Sequence, residues 1–484
     1  MADPRTRAED PRAALDRAAR ALAPVYDEAL RERVPPSLER MVTRLDRGDA
    51  AAPPSEDIPA SGRGALKQRP ATGMAVGSAP RRDRRRAAAA LSTAAVLVLA
   101  AMPLGMAVVQ RSSPVFVTLA AVCAVAAAIA ERRGDALLDA VRGALRTPLG
   151  VAALAFLAWC GVSVAWSGAP ATSLHAYGEF LLPCGAALVA AVLLPGRVPR
   201  YAFRVVAGAL ALACLSMWIE MGTGLALRRV LGMRWSTYIF NRPVLTVVVL
   251  LAPVLCGLAV LSRRCLLISA VLAVLVAGSA AVSESGAAVL ALAVLAGTGL
   301  LAWRVPRATV ALAAVGLIAA VAIAPVIGDV ADRMIPPVVH SELSGSHSRD
   351  RVDIWRTFGA TIRRAPMLGE GFGSSPTLET SSAAQTLPPE FRPMLAVGHP
   401  HNAAVQIWTE LGAFGASLAL VVLLLTLREV STLPPRTFVP ALTTFAAVAA
   451  VSLVGHGAWQ GWWAASVGAA VVWLRIAGRQ EHVG

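Results

Sequence analysis

The sequence predicts an all-α, polytopic integral membrane protein, and three observations predict it. Of 484 residues, 56% are hydrophobic and only 15% charged, with a mean hydropathy of +0.60, a balance outside the range of soluble globules. Apolar runs recur at the length a bilayer demands, roughly 20 helical residues for a hydrocarbon core about 30 Å thick. The arginines between those runs cluster at every second connection, as the positive-inside rule requires of a chain threaded back and forth across a membrane.

Residues 1–86 read as a cytoplasmic N-terminal region and linker, with no signal peptide. Within them, ALAPVYDEALRERVPPSLERMVTRLDRG has apolar positions at helical spacing on both sides of Pro35 and Pro36, which predicts two short helices. Through its Tyr-Asp, Val-Pro and Leu-Asp pairs this stretch resembles the small anti-sigma factors of the bacterial general stress response. That would make it a regulator-binding segment; a solvated helical tail is the plainer alternative. Residues 48–80, rich in Ala, Pro, Ser and Gly, predict a disordered linker. The run RRDRRR (81–86) predicts a cytoplasmic anchor or a contact with anionic membrane lipids.

About twelve spans follow, near 88–110, 113–131, 148–166, 174–195, 202–224, 242–261, 265–283, 285–303, 308–327, 401–427, 437–455 and 458–476. Transmembrane helices 1–9 thus occupy 87–327, a large loop 328–398, and helices 10–12 with the tail 399–484. Every even-numbered exit is basic: Arg132, Arg133, Arg142 and Arg146; Arg197, Arg200 and Arg204; Arg263 and Arg264; Arg304 and Arg307; Arg428 and Arg436; Arg475 and Arg479. The opposite loops WSGAPATSLHAYGEF, SES and GHGAWQGWW contain neither Arg nor Lys. Both termini are therefore expected in the cytoplasm, with the large loop on the far side, which in a bacterium is the periplasm.

This distribution also accounts for the net charge of +15, so the basic pI does not imply a nucleic-acid partner. The six cysteines lie in or beside apolar runs, which predicts neither disulfides nor a cysteine metal site. One outer loop breaks the charge rule. Residues 225–244 place Arg228, Arg229, Arg234 and Arg242 on the far side, where topology does not call for them. Guanidinium forks suit phosphate. Lipid headgroups are an equal alternative for Arg228 and Arg229, whereas Arg242, at a Phe-Asn-Arg-Pro turn opening a span, points to function.

The longest polar interruption runs from Gly345 to Gly415. Arg351, Trp355, Phe358, Gly359 and Ile362 recur at three- and four-residue spacing, predicting one face of a helix with Arg349 near its start and Pro366 ending it. GEGFG (369–373) reads as a flexible turn, and the connection to Val397 as a lid or a mobile loop. Next comes His399-Pro400-His401-Asn402, where proline favours a helix start and places His401 in the first turn of the tenth span. Trp408, Gly412 and Gly415 follow on about one face, the glycines admitting a neighbouring helix. An interfacial histidine beside phosphate-ready arginines suits a general base, a structural cap being the bland alternative. His347, His399 and His401 lack metal-ligand spacing.

His401-Asn402, nine residues (AAVQIWTEL), then Gly412-Ala-Phe-Gly415 is a complete run of the motif His-(Asn/Ser/Gln)-x9-Gly-x-x-(Gly/Thr/Tyr). In this the sequence resembles the O-antigen ligase/polymerase family of bacterial polytopic glycosyltransferases. RVDIW…APMLGEGFG similarly resembles the family's Arg-x-x-x-Trp…Pro-x-x-Gly-x-Gly pattern, and the likeness extends over roughly residues 88–476. The resemblance implies a metal-independent, cofactor-free, inverting transferase in the inner membrane, its active site facing the periplasm. The donor would be a glycan on undecaprenyl diphosphate and the acceptor lipid A–core or a growing glycan. His401 matches the family's catalytic base; Arg242 and Arg351 match diphosphate-binding positions, with Arg234 and Arg349 expected alongside. Asn402, His399, Trp355, Gly412, Gly415 and Glu284 are expected to support the site. One departure stands out: where relatives carry Ser-Arg-Gly or Ser-Arg-Ser, this chain has Ser283-Glu284-Ser285-Gly286, and Glu284 is expected to pair with an arginine or touch the acceptor. Ligase, polymerase and protein O-oligosaccharyltransferase share these features. A lipid-linked oligosaccharide flippase, which needs polar residues midway through its spans, is the competing class.

Overall fold

The structure is a computed structural model that describes residues 79–131, 134–195, 198–199, 201–233, 236–261, 265–336 and 348–481. The chain divides into two units, Met1–Ser78 and Ala79–Gly484, and the described residues all belong to the second. The expected N-terminal helices and linker, Arg234 and His347 lie outside them.

The described residues are helical, with no strand among them. The helices are α1 (Ala79–Val108), α2 (Ser113–Ala130), α3 (Gly134–Leu145), α4 (Pro148–Ser163), α5 (Pro170–Leu193), α6 (Ala202–Gly222), α7 (Ala226–Val230), α8 (Asn241–Leu261), α9 (Cys265–Val282), α10 (Gly286–Arg304), α11 (Pro306–Ile323), α12 (Ile327–Met334), α13 (Ser348–Arg364), α14 (Ser382–Thr386), α15 (Ala403–Ser431), α16 (Pro435–Val454) and α17 (Gly461–Glu481). Eleven of the helical stretches are long and apolar enough to cross a membrane. The twelfth expected span is α17. Its tryptophans, glycines and Arg475 dilute its hydropathy, yet Trp473, Val472, Ile476 and Ala477 are fully buried in the bundle. The fold class predicted from the sequence is thus borne out.

Local chemistry sets the helix ends. Pro148, Pro170 and Pro306 open α4, α5 and α11 at positions where a missing N–H costs nothing. The Thr147 and Ser285 hydroxyls accept from Gly150 and Ala288 N–H and cap α4 and α10. Helix α8 reads apolar all round, NRPVLTVVVLLAPVLCGLAVL, and such a helix belongs in the middle of a bundle. Its most apolar window is 83% buried, against α6, α9, α16 and α17. By contrast only 11% of the α11 window is enclosed by protein, as for a lipid-facing span.

The described residues of the segment expected as one large loop form elements of their own. Helix α11 continues through a 3-10 turn into α12, which packs antiparallel on α13. Residues Ser375–Val397 form 3-10 turns and α14, whose Leu378, Ala383, Ala384, Leu387 and Leu395 close an apolar cluster with Ile354 and Phe358 of α13 and Val405 of α15. This small second core sits over one end of the bundle, where α15 begins.

Candidate active site

Four connections meet at that end: the turn between α1 and α2, the segment leading into α15, the α16–α17 loop and the start of α8. The α15 segment gives the pattern its shape. Asn402 is the N-cap, its Oδ1 accepting from Val405 N–H at 3.1 Å, so the helix starts at Ala403. His401 therefore precedes the helix, in the left-handed region at φ 51°, a correction to its expected place in the first turn. This backbone, uncommon for a residue with a Cβ, turns the imidazole away from the helix and onto the α16–α17 loop. There His401 Nδ1 lies 2.8 Å from the Gly455 carbonyl oxygen. A carbonyl only accepts, so Nδ1 carries the proton and Nε2 presents a bare lone pair.

Two further histidines surround it. The rings of His399 and His401 meet edge to face, centroids 4.1 Å apart, and His456 stands edge-on to Trp462 at 4.9 Å. Arg351, in the first turn of α13, donates to the Val454 carbonyl beside Gly455, and the Arg242 guanidinium lies over the Trp462 ring at 5.8 Å. Burial, with Arg351 nearby, holds His401 below its ordinary value against the opposing pull of the Gly455 bond. His399 is held well below by burial, then by His401, His456 and Arg242. His456 is pushed down to about 3 by burial, with Arg242, His401 and Arg351 adding to it. The imidazoles are thus neutral at pH 7, beside two fixed positive charges.

A cleft of about 260 Å³ opens beside His399, lined by Arg111, Thr172, Glu179, Gln460, Trp459 and Trp462 among others. Indole faces with amide and carboxylate groups are a chemistry that fits sugar rings and their hydroxyls. On the far side of the α16–α17 loop, His456, Trp459 and Trp463 also line an apolar cavity of about 240 Å³ between α11, α15 and α16. The loop from Gly455 to Gln460 therefore separates a polar cleft from an apolar one.

The family-like glycines shape the backbone underneath. Helix α15 is broken at Gly412, where φ is 62° and ψ −165°. Into the break fits the segment Pro366–Gly373: Glu370 and Gly371 N–H donate to the Thr409 and Glu410 carbonyls, each at 2.9 Å, and Ala413 N–H donates to Pro366 O at 2.8 Å. A Cβ on Gly369 or Gly412 would run into the opposing backbone. Gly412 thus admits this extended segment rather than the neighbouring helix expected from its spacing, and GEGFG is a docked turn held at positive φ.

At the centre of the dock is Glu410, with no exposure. Its carboxylate accepts from Gly373 N–H, from Ser375 N–H and O–H, from Gln406 Nε2 at 2.9 Å and from Trp459 Nε1 at 2.6 Å. Trp355 Nε1 donates to the Pro400 carbonyl at 3.0 Å and fixes the HPHN segment on α13.

Of the sequence-predicted residues, then, His401, His399, Asn402, Trp355, Arg351 and Arg242 come together. Gly415 is buried just past the break in α15. Arg349 faces the other side of α13, paired with Asp332 at 3.0 Å and Asp353 at 3.5 Å; two positions from Arg351 on a helix is an opposite face. Glu284 is exposed and accepts from Thr237 Oγ1 at 2.6 Å. Arg228 is a structural residue: buried, it donates to the last carbonyls of α1, Ala107 O at 2.7 Å and Val108 O at 3.2 Å. Sequence reasoning missed His456, Glu410, Gln406 and the tryptophans of the α16–α17 loop. The signal available was composition, since a Gly- and Trp-rich loop holds one of only seven histidines. Among the described residues, no group of three or more His, Cys, Asp or Glu is arranged to hold a metal ion.

Residues 271–420 match the family model described as O-antigen ligase. That segment runs from α9 into α15 and includes Arg351, Trp355, the docked glycines and the HPHN pattern; Arg242 and His456 fall outside it. Two curated proteins carrying the provisional name polysaccharide ligase are similar over 116 residues, 31% identical in Rickettsia prowazekii (strain Madrid E) and 30% in Rickettsia typhi (strain ATCC VR-144 / Wilmington). In each case the similarity covers 23% of this chain and 28% of the relative. The resemblance read from the His-Asn motif is borne out over this segment.

Proposed function

We propose that this multi-pass membrane protein is a polysaccharide ligase-type glycosyltransferase. It moves a glycan from undecaprenyl diphosphate to an acceptor hydroxyl at the periplasmic face of a bacterial inner membrane. The observation that carries the reading is His401: Nδ1–H is committed to Gly455 O, Nε2 is bare, and Arg242 and Arg351 lie within electrostatic reach of the imidazole cluster. In the reaction, the acceptor hydroxyl gives its proton to His401 Nε2 as its oxygen attacks the anomeric carbon. The bond from that carbon to the diphosphate oxygen breaks on the opposite face, inverting the configuration. The added charge on the departing diphosphate is met by Arg242 and Arg351. No step requires a metal or a cofactor. Arg349, committed to two aspartates, is left out of this assignment.

The basic exits and arginine-free opposite loops support cytoplasmic termini and a periplasmic site. The acceptor is lipid A–core for a ligase or another lipid-linked repeat for a polymerase of the same family. The test is glycan display in a strain lacking the gene, complemented with wild type or with His401→Ala at equal abundance. Wild type should restore long or lipid A-linked glycan and the variant should not. Polymer stranded on the lipid carrier indicates a ligase, and accumulated single repeats a polymerase. Full complementation by His401→Ala would overturn the general base and favour a flippase.

A further inference from the structure

The transfer chemistry makes no use of Glu410, yet a fully buried carboxylate taking five donors is costly to assemble and needs a reason. Its partners supply one. Two of the five donors tie it to the Pro366–Ser375 segment through Ser375, and a third through Gly373. The other two lead to the loop after α16. Trp459 donates to Glu410 directly. Gln406 donates to Glu410 with Nε2 and accepts from Ala458 N–H with Oε1 at 2.8 Å. The loop so held begins with Gly455, whose carbonyl fixes Nδ1 of His401.

We propose that Glu410 is a positioning residue: through Gln406 and Trp459 it holds Gly455–Gln460 so that the Gly455 carbonyl keeps His401 in the tautomer with Nε2 bare. The polarity of the chain makes this specific to a carboxylate. In Glu410→Gln the new amide must aim its NH₂ at one set of donors. Towards Gly373 and Trp459 it meets two N–H groups that cannot reverse. Towards Gln406 it forces that amide to flip, and the flipped NH₂ then faces Ala458 N–H, donor against donor. One of the two ties to the loop is lost in either case. Exchanging the pair, Gln406→Glu with Glu410→Gln, restores it, because the carboxylate then standing at position 406 accepts from both the new amide and Ala458 N–H.

The test has a readout independent of glycan transfer, so that it stands apart from the proposed function on which the turnover arm rests. Diethyl pyrocarbonate modifies unprotonated imidazole, and its rate at His401, followed peptide by peptide by mass spectrometry, gives the protonation midpoint in the full-length protein in nanodiscs. Wild type should titrate below 6.5. In Glu410→Gln the ring loses the upward pull of the Gly455 bond but regains water, and relief of burial is the larger of the two effects, so it should titrate upward toward the value of free imidazole, about 6.5, and the exchanged pair should return to the wild-type midpoint. Turnover should fall on the order of 10- to 100-fold for a displacement of about 1 Å, with KM changed much less. If Glu410→Gln does not accumulate, Gln406→Met, which removes the bridge from Glu410 to Ala458 and leaves the Trp459 bond in place, should give the same upward move. Wild-type midpoints in these variants, or an exchanged pair no better than Glu410→Gln alone, would overturn the proposal. Absence of transfer by wild type together with the midpoint change would leave it standing and overturn the proposed function.

Discussion

Gly412→Ala tests the geometry of the α15 break most directly. The residue sits at φ 62° and ψ −165°, a region essentially reserved for glycine, where other residues are strained by about 1–3 kcal/mol. The added Cβ would overlap the Met367 carbonyl and lie 2.6 Å from Leu368 N, so the docked segment has to withdraw. Withdrawal breaks the bonds from Ala413 N–H to Pro366 O at 2.8 Å and from Phe414 N–H to Met367 O at 3.4 Å, a further loss of about 1 kcal/mol for a well-formed bond and less for the longer one. The expected destabilisation is therefore about 2–5 kcal/mol. The control is Gly316→Ala in α11, a site with open space around it, where alanine is better than glycine by about 1 kcal/mol in helix propensity. The assay is the fraction of detergent-solubilised protein still monodisperse after graded heating. Gly412→Ala should fail at lower temperature than wild type and Gly316→Ala should not. Equal thermal tolerance of the two variants would refute the account of the break.

Arg351→Lys keeps a charge but loses the planar fork, and should lower transfer by about 100-fold while the protein accumulates normally; unchanged transfer would remove Arg351 from the leaving-group site. Because His401 is held below its ordinary value, its base form persists through neutral pH, and kcat/KM should fall on acidification only below about 6.5. An acid limb at or above that value would contradict the buried neutral imidazole. The stability of the fold should follow the same histidines. With His399 depressed and His456 pushed to about 3, an unfolded chain takes up protons below about 6.5 that the native one refuses, so stability present above that pH is lost as it falls toward 3. Heating series at pH 7 and pH 5 should show it, and His456→Phe should flatten the difference. Arg228→Met removes the donors to the end of α1 and leaves Glu220 buried without its partner, 3.8 Å away. It should cost about 3 kcal/mol or more, read in the same heating assay, with transfer per folded molecule intact.

The spans were legible because each one repeats a single requirement, an apolar length matched to the bilayer, and α8 announced its central place by having no polar side. The His-Asn pattern was legible for a similar reason: a local cap fixes where α15 begins, and Asn402 is that cap. What local spacing could not convey was contact between distant segments. Gly412 looked like a helix-packing residue because helical periodicity was assumed through it, while the break exists only with Pro366–Gly373 in place. Arg349 and Arg351 looked alike until helical rotation and the aspartates of α12 separated them. Arg228 carried the same charge as Arg242 but ends at carbonyls of α1, more than a hundred positions earlier in the chain. His456 and Glu410 had no neighbours in sequence to betray them; the one is exposed to the site by a loop, the other is hidden in a span.

The break in α15 has a consequence for how the protein is made. A helix entering a bilayer carries its hydrogen bonds with it, but this one is interrupted at Gly412 and leaves backbone groups open on both sides of the gap, which hydrocarbon penalises heavily. The groups that close the gap belong to residues 366–371, synthesised ahead of α15. Insertion of the span is therefore complete only when a segment made before it folds back onto it. Delivery in the order of translation supplies that segment on time. A circular permutant that made α15 first would have to insert the break before its partner existed, and would be expected to stall in the membrane as a substrate for quality-control proteolysis.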